Sequence, residues 1–154
     1  MRPATAADWP LADRLHQRCS DTNLLLRWGR TRITRHDFIR LLDHCEVWLG
    51  LDSEGGPLAM ASAGFVSREG GVVDLGLQVA DAHQRRGIGT RLARHAAAHA
   101  RRRGAHTLTA FTDASNTAML RLLAHLGPAE HTRDGTYLDV RIPLGDTRSD
   151  HSPP

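Results

Sequence analysis

The chain has no lysine; all 20 of its basic residues are arginine. It therefore cannot be acylated on lysine side chains of its own, and it cannot build a Walker phosphate loop, which requires one. Cysteine is nearly as scarce. Cys19 and Cys45 are too few for a disulfide framework or a cysteine zinc site, and such a chain suits the reducing cytoplasm. No apolar run approaches the roughly 20 residues that span a bilayer. The opening MRPATAADWP lacks the long apolar stretch of a signal peptide. There is no internal repeat and no mid-chain linker. One domain over residues 1–144 is expected, followed by a disordered tail, GDTRSDHSPP, at 145–154.

Hydrophobic residues make up 40% of the chain, charged residues 24%, and the net charge is +3, an ordinary globular balance. A short strand is expected at 2–5. A helix follows from Asp8, with Leu11, Leu15 and Cys19 on one face. The apolar stretch 23–29 fits no element decisively. Thr34 reads as the N-cap of a helix at 35–44, whose apolar side is Phe38, Leu41 and Leu42. Three strands at 46–51, 58–67 and 72–79, joined by SEGG and REGG turns, read as an antiparallel meander. A helix at 88–103 ends at Gly104. A strand at 107–112 and a helix at 116–126, stopped by Gly127 and Pro128, come next. Two strands, 130–133 and 136–142, flank a DG turn. The strand–helix–strand run from 72 to 112 reads as a right-handed crossover. The expected class is α/β (α+β), a mixed sheet of about six to seven strands with helices on both faces.

The densest chemical signal is HQRRGIGTRL at 83–92, where an apolar strand gives way to an alanine-rich helix. The first turn of a helix exposes N–H groups that lack partners within the helix. They carry the positive end of its dipole, and phosphate oxygens fit there. Gly87 and Gly89 lack Cβ, so a ligand can approach the backbone closely. Gln84, Arg85 and Arg86 add donors and charge. The dinucleotide pattern GxGxxG fails, because Leu92 stands where its third glycine would be. The stretch alone leaves two readings open, a polyphosphate cradle or a plain tight turn.

The surroundings favour the cradle. QRRGIGT at 84–90 is similar to the acyl-CoA signature (Q/R)xxGx(G/A) of the GNAT N-acetyltransferase superfamily. VVDLGLQVADAHQRRGIG resembles the strand and loop that precede the signature in that family. NTAMLRLLAHLG resembles its second conserved block, Asn116 followed eleven residues on by Gly127. The resemblance runs from RPATAAD to the last strand. It implies acetyl-CoA, and no metal, in a cleft between splayed strands ending at Val79 and starting near Thr107. Backbone of Leu77, Gln78 and Val79 would pair with the thioester carbonyl and the pantetheine amides. The amides of Gln84, Arg85, Arg86, Gly87, Ile88, Gly89 and Thr90 would hold the pyrophosphate, and Asn116 the pantetheine arm.

Acetyl transfer to an amine needs a neutral nucleophile, and an alkyl amine of pKa near 10.4 is mostly protonated at pH 7. It also needs donors for the thioester oxygen and a proton for the leaving thiolate. Asp74 is the candidate base; its plain alternative is a solvated or arginine-paired strand carboxylate. Alternation puts Asp74 and Gly76 on one face, where small Gly76 would leave room for an amine. The candidate oxyanion donor is the N–H near Leu77 or Gln78. Relatives often carry a tyrosine acid where this chain has Leu123, and Pro128 replaces a usual aromatic. Ser115 or water is left to protonate the thiolate. Tyr137 is expected in core packing.

RCSDTNLLLRW at 18–28 resembles a segment of some bacterial protein-lysine acetyltransferase domains, so Asp21, Arg27, Trp28 and Arg30 would shape acceptor choice. His95 and His99 have zinc-compatible spacing but no third ligand, and read as exposed. Cys45 reads as a small buried thiol. The arginines at 101–103 complement the helix dipole and lack the aromatics of a nucleic-acid surface. The expected activity is acetyl-CoA-dependent N-acetylation of a primary amine, on a small molecule or a protein lysine, by a monomer or homodimer. The alternative is a catalytically impaired acyl-CoA-binding regulatory module.

Overall fold

The computed structural model describes residues 1–66 and 68–145. Ser67, expected at a strand end, and the tail beyond Gly145 lie outside the described residues. Seven strands form one sheet, flanked by five helices. The order along the chain is β1 (Arg2–Pro3), α1 (Trp9–Gln17), α2 (Asp21–Trp28), α3 (Arg35–His44), β2 (Glu46–Leu51), β3 (Pro57–Phe65) and β4 (Val72–Val79). Then come α4 (Ile88–Arg102), β5 (Thr107–Asp113), α5 (Thr117–Leu126), β6 (Glu130–Asp134) and β7 (Tyr137–Pro143). Across the sheet the order is β1-β2-β3-β4-β5-β7-β6. Every neighbour pair is antiparallel except β4–β5, the pair joined through α4. No helix among the described residues is long and apolar enough to cross a membrane.

Caps set the helix limits. At α3, the Thr34 hydroxyl accepts from the Asp37 N–H, and the Asp37 carboxylate accepts from the Thr34 N–H at 2.8 Å. The undecided stretch 23–29 belongs to a helix. The Ser20 hydroxyl accepts from the Asn23 N–H at 3.2 Å, and Gly29, with φ 73°, ends α2 in the left-handed conformation. The helix expected from Asp8 begins instead at Trp9, after a single tight turn at Ala6–Asp8. Asn116 precedes α5 as its cap rather than its first residue.

Strand alternation divides the core into two layers. One face of the sheet offers Ala59, Ala61, Ala63, Val73, Leu75, Leu108 and Ala110 to α4, which answers with Leu92, Ala93, Ala96 and Ala100. Alanine on both sides lets helix and sheet approach closely. The opposite face packs Val47, Leu49 and Met60 against Ala12, Leu15 and Phe38 of α1 and α3. His95 and His99 are half-buried and pack against Trp48 in T-shaped arrangements, with centroids 5.4 and 5.1 Å away. That corrects their expected exposure: an indole in the core layer recruits them. His99 also meets Glu46 at 2.5 Å.

The parallel pairing of β4 with β5 is short. Val72, Val73 and Asp74 pair with Thr107, Leu108 and Thr109, and the ladder stops there. Beyond it β4 stays paired with β3 as far as Val79, and β5 with β7 as far as Asp113. The two strands splay after Asp74, and the edge of β4 facing β5 is left without a strand partner.

Candidate active site

The splay opens a cleft of about 700 Å³. Its walls are β4 from Asp74 to Val79, the start of α4, Phe111 and Thr112 of β5, the N-terminal half of α5, and α2 and α3 on the outer side. The sequence-predicted residues Asp74, Leu77, Gln78, Val79, Gln84, Arg85, Gly87, Gly89, Thr90 and Asn116 all line it. Arg86 and Ile88 do not. The Arg86 guanidinium turns to His83 Nδ1 at 2.9 Å, and Ile88 packs on the core.

At the mouth of α4 the two glycines differ in role. Gly87 is the N-cap, left-handed at φ 78°, and caps with no side chain. A Cβ placed there would meet nothing within 4 Å. Arg85 is the one described non-glycine residue with positive φ, at 64°. The start of α4 thus lines the cleft with no side-chain cap on its first-turn N–H groups, a fit for an anion. Gly89 is different. Its Cβ would stand 2.9 Å from Leu122, 3.1 Å from Val79 and 3.2 Å from Leu77. Gly89 is small to seat α4 on β4 and α5, not to admit a ligand, which corrects the expectation that both glycines serve close approach.

The far edge of β4 is partly engaged. The Val79 carbonyl accepts from Asn23 Nδ2 at 2.8 Å and from Gln84 Nε2 at 3.2 Å. Both its lone pairs are used, and Gln78 turns its backbone to Met60 of β3, so the polar backbone of this edge open to a ligand is that of Leu77, and the expectation that Gln78 shares that role is corrected. The Gln78 side chain, 2% exposed, points to the opposite layer and accepts from Trp28 Nε1 at 3.0 Å. Asn116 Oδ1 caps α5 by accepting from the Met119 N–H at 3.2 Å. Its amide NH₂ has no partner among the described residues.

Asp74 sits at the apex of the splay and is the only carboxylate among the described residues lining the cleft. Thr109, across the last rung of the parallel ladder, donates its hydroxyl to Asp74 Oδ1 at 3.1 Å. Solvent reaches Asp74, yet protein surrounds it on several sides. Desolvation raises its carboxyl above the ordinary value; the Thr109 hydroxyl and the Arg27 charge oppose that, and Asp139 adds to it.

The space beside Asp74 is not empty. A Cβ on Gly76 would overlap the Arg27 guanidinium and the Ser62 hydroxyl, at 2.4 and 2.5 Å. Gly76 therefore accommodates an arginine reaching in from α2, not a substrate amine. Arg27 Nη2 donates to Ser62 Oγ at 3.1 Å. Of the four residues expected to shape acceptor choice, only Arg27 enters the cleft. Arg30 pairs with Asp37 at 2.6 Å, Trp28 lies under β4 on Gln78, and Asp21 is exposed in the first turn of α2.

The acid side also differs in part from expectation. Leu123 is 1% exposed and faces α4 within the core, while Met119 and Leu122 line the cleft. Ser115 lines the cleft, but its hydroxyl donates to Asp113 at 2.6 Å. Tyr137 is not in the core. It is exposed and stacks on Phe111, with centroids 4.9 Å apart and planes 14° apart. Cys45 is half-buried at the cleft wall, and burial pushes its thiol pKa up. Sequence reasoning missed Asn23, Ser62, Thr109 and Phe111. Asn23, Ser62 and Phe111 reach the cleft, and Thr109 reaches Asp74, through strand register or helix docking; only Asn23 lies in a segment that the sequence marks, RCSDTNLLLRW.

The sequence matches the model of the Acetyltransferase (GNAT) family over residues 9–127. No curated protein matches it. Solved structures share the fold at low identity. The GNAT domain of S. lividans PAT superposes with a TM-score of 0.82 at 21% identity, covering 92% of this chain and 88% of that one. Spermidine N-acetyltransferase from Vibrio cholerae, in complex with CoA and spermine, gives 0.72 at 12% identity, covering 93% and 94%. The protein yncA from Salmonella typhimurium, with its cofactor acetyl-CoA, gives 0.66 at 24% identity, covering 99% and 95%. The family model spans most of the chain, including the strand, the uncapped helix start and the Asn116 block: the chain belongs to the GNAT acetyltransferase family.

Proposed function

We propose that the protein transfers an acetyl group from acetyl-CoA directly to a primary amine, of a small molecule or a protein lysine, with Asp74 as the base. The observation that carries this reading is the splay itself. One opening joins a bare helix start to a single carboxylate at the apex of the split.

Acetyl-CoA supplies the activated acyl group. Main-chain amides of residues 85–90 would hold its diphosphate, the Leu77 backbone its thioester and pantetheine end, and the Asn116 amide its arm. Asp74, directly or through water, takes the proton that the ammonium must lose. The nitrogen lone pair then attacks the thioester carbon. An N–C bond forms, the C–S bond breaks, and CoA leaves as its thiolate. The backbone N–H of Leu77, on the edge of β4 that faces the cleft, would steady the oxyanion. Asp113 already engages the Ser115 hydroxyl proton, so the second proton, shed by the nitrogen after attack, passes through water to the thiolate.

The test is thiol release from acetyl-CoA over a panel of primary amines. The expected result is one thiol released per amide formed. Tight CoA binding with no thiol release across the panel would overturn transfer and favour an acyl-CoA-binding regulatory module.

A further inference from the structure

Arg27 is a cation with no ion-pair contact among the described residues, although it feels the charge of Asp74. Its guanidinium crosses the outer end of the cleft, rests on Gly76 and gives one hydrogen bond, to Ser62. Among the described residues no carboxylate stands within ion-pair distance of it. A guanidinium has five donors in a planar fork that matches a carboxylate. A charge drawn away from water without a counter-ion is costly. The cleft holds a place for an anion beside the guanidinium.

Asp74 lies two residues along β4 from Gly76, about 7 Å at the strand rise. Asp74 and Arg27 act on each other by charge without forming an ion pair. A molecule with a cationic and an anionic group on one carbon can touch both ends through hydrogen bonds of about 2.8 Å. Phe111 projects from the same face of β5 as Thr109, the residue bonded to Asp74. With Leu26 and Leu41 it contributes apolar wall to the cleft.

We propose that the acceptor is a free α-amino acid with an apolar side chain, its carboxylate docked on Arg27, its amine before Asp74 and its side chain against Phe111. This rests on the acetyl-transfer reading above and narrows it. A lysine side chain within a protein, or a chain's N-terminal amine, carries no carboxylate on the carbon bearing its nitrogen and leaves Arg27 unmet.

The test compares leucine, methionine and phenylalanine with their carboxamides, their decarboxylated amines and a lysine-bearing peptide. Acetylation rates are measured with acetyl-CoA, and binding to the protein–CoA complex by calorimetry, for the wild type, Arg27→Met and Arg27→Lys. The expected result is a preference for the free acids, with KM or Kd lower by roughly 10- to 100-fold, the scale of one charged hydrogen bond. Arg27→Met removes that preference and Arg27→Lys keeps part of it. Carboxamides or peptide handled as well as the acids would overturn the proposal, as would a preference that survives Arg27→Met. Acids that bind through Arg27 but are not acetylated would sustain the docking and sink the transfer reading. Amines acetylated without regard to a carboxylate would do the reverse, and no binding and no turnover would sink both. Should Arg27→Met fail to fold, the wild-type ligand series and Arg27→Lys decide.

Discussion

The carboxyl of Asp74, the proposed base, is set by opposed local forces. Desolvation in the cleft raises its carboxyl, while Thr109 and Arg27 hold it back. Its ionised form is therefore lost at a pH above the ordinary carboxylate value of 3.8 as the medium is acidified. The acid limb of kcat/KM should lie above that value, and Asp74→Asn should lower kcat by roughly 10²- to 10⁴-fold, the usual worth of general-base catalysis, and abolish that limb. An unchanged rate and profile would remove Asp74 from the role. A second titratable residue acts on stability. His16 is 5% exposed, packed edge-on against Trp28 at 5.6 Å, and burial lowers its pKa from 6.5 to about 4. The unfolded chain then binds more protons than the folded one between those values, so stability falls as pH drops through this window. The expected loss is about 3 kcal/mol from pH 7 to pH 4. Denaturant titrations in that range should show it, and His16→Leu should flatten it. Asp8 and Asp37, whose pKa values are lowered, act at more acidic pH.

At the scale of elements, the α4 junction assigns its two glycines to different tasks. Gly87 sustains a left-handed cap over open space, so Gly87→Asp should fold at a cost of about 1 kcal/mol. Its carboxylate would face the diphosphate, and affinity for acetyl-CoA should fall at least about tenfold, the scale of one lost charged contact. Gly89→Val should instead lower thermal stability by about 1–3 kcal/mol, because its side chain would lift α4 off Val79 and Leu122. Thermal melts and calorimetry separate the two effects. Sequence pattern revealed α4 and β4 because strong periodicity and a dense motif mark both. It left α2 undecided because three leucines in a row mask helical spacing, although Ser20 and Gly29 were the caps to look for. It could not separate Gly87 from Gly89, since only docking against α5 distinguishes them. Nor could it see that Leu123 faces inward, or that Gly76 is small for the sake of an arginine more than 40 residues earlier.

At the scale of the whole molecule, the chemistry follows from one interruption in the sheet. Seven strands in an unbroken ladder would leave no interior polar edge. Ending the β4–β5 ladder at Asp74 exposes backbone and places a carboxylate at the vertex. The order of the meander and the crossover was readable from turns and periodicity. The splay was expected only through the family resemblance, and the placement of β7 between β5 and β6 needed the fold. A ligand that bridges the two halves of the split sheet should stabilise the fold by mass action. At acetyl-CoA concentrations of 100 Kd the gain should be about 2.7 kcal/mol, a rise in Tm of roughly 5–10 °C for a chain of this size. The most direct test of the central claim, that bare amides at the start of α4 grip a diphosphate, is amide hydrogen exchange over residues 85–90. Saturating acetyl-CoA should slow exchange there, while pantetheine, which lacks the diphosphate, should not. Unchanged exchange at these amides with acetyl-CoA bound would contradict the account.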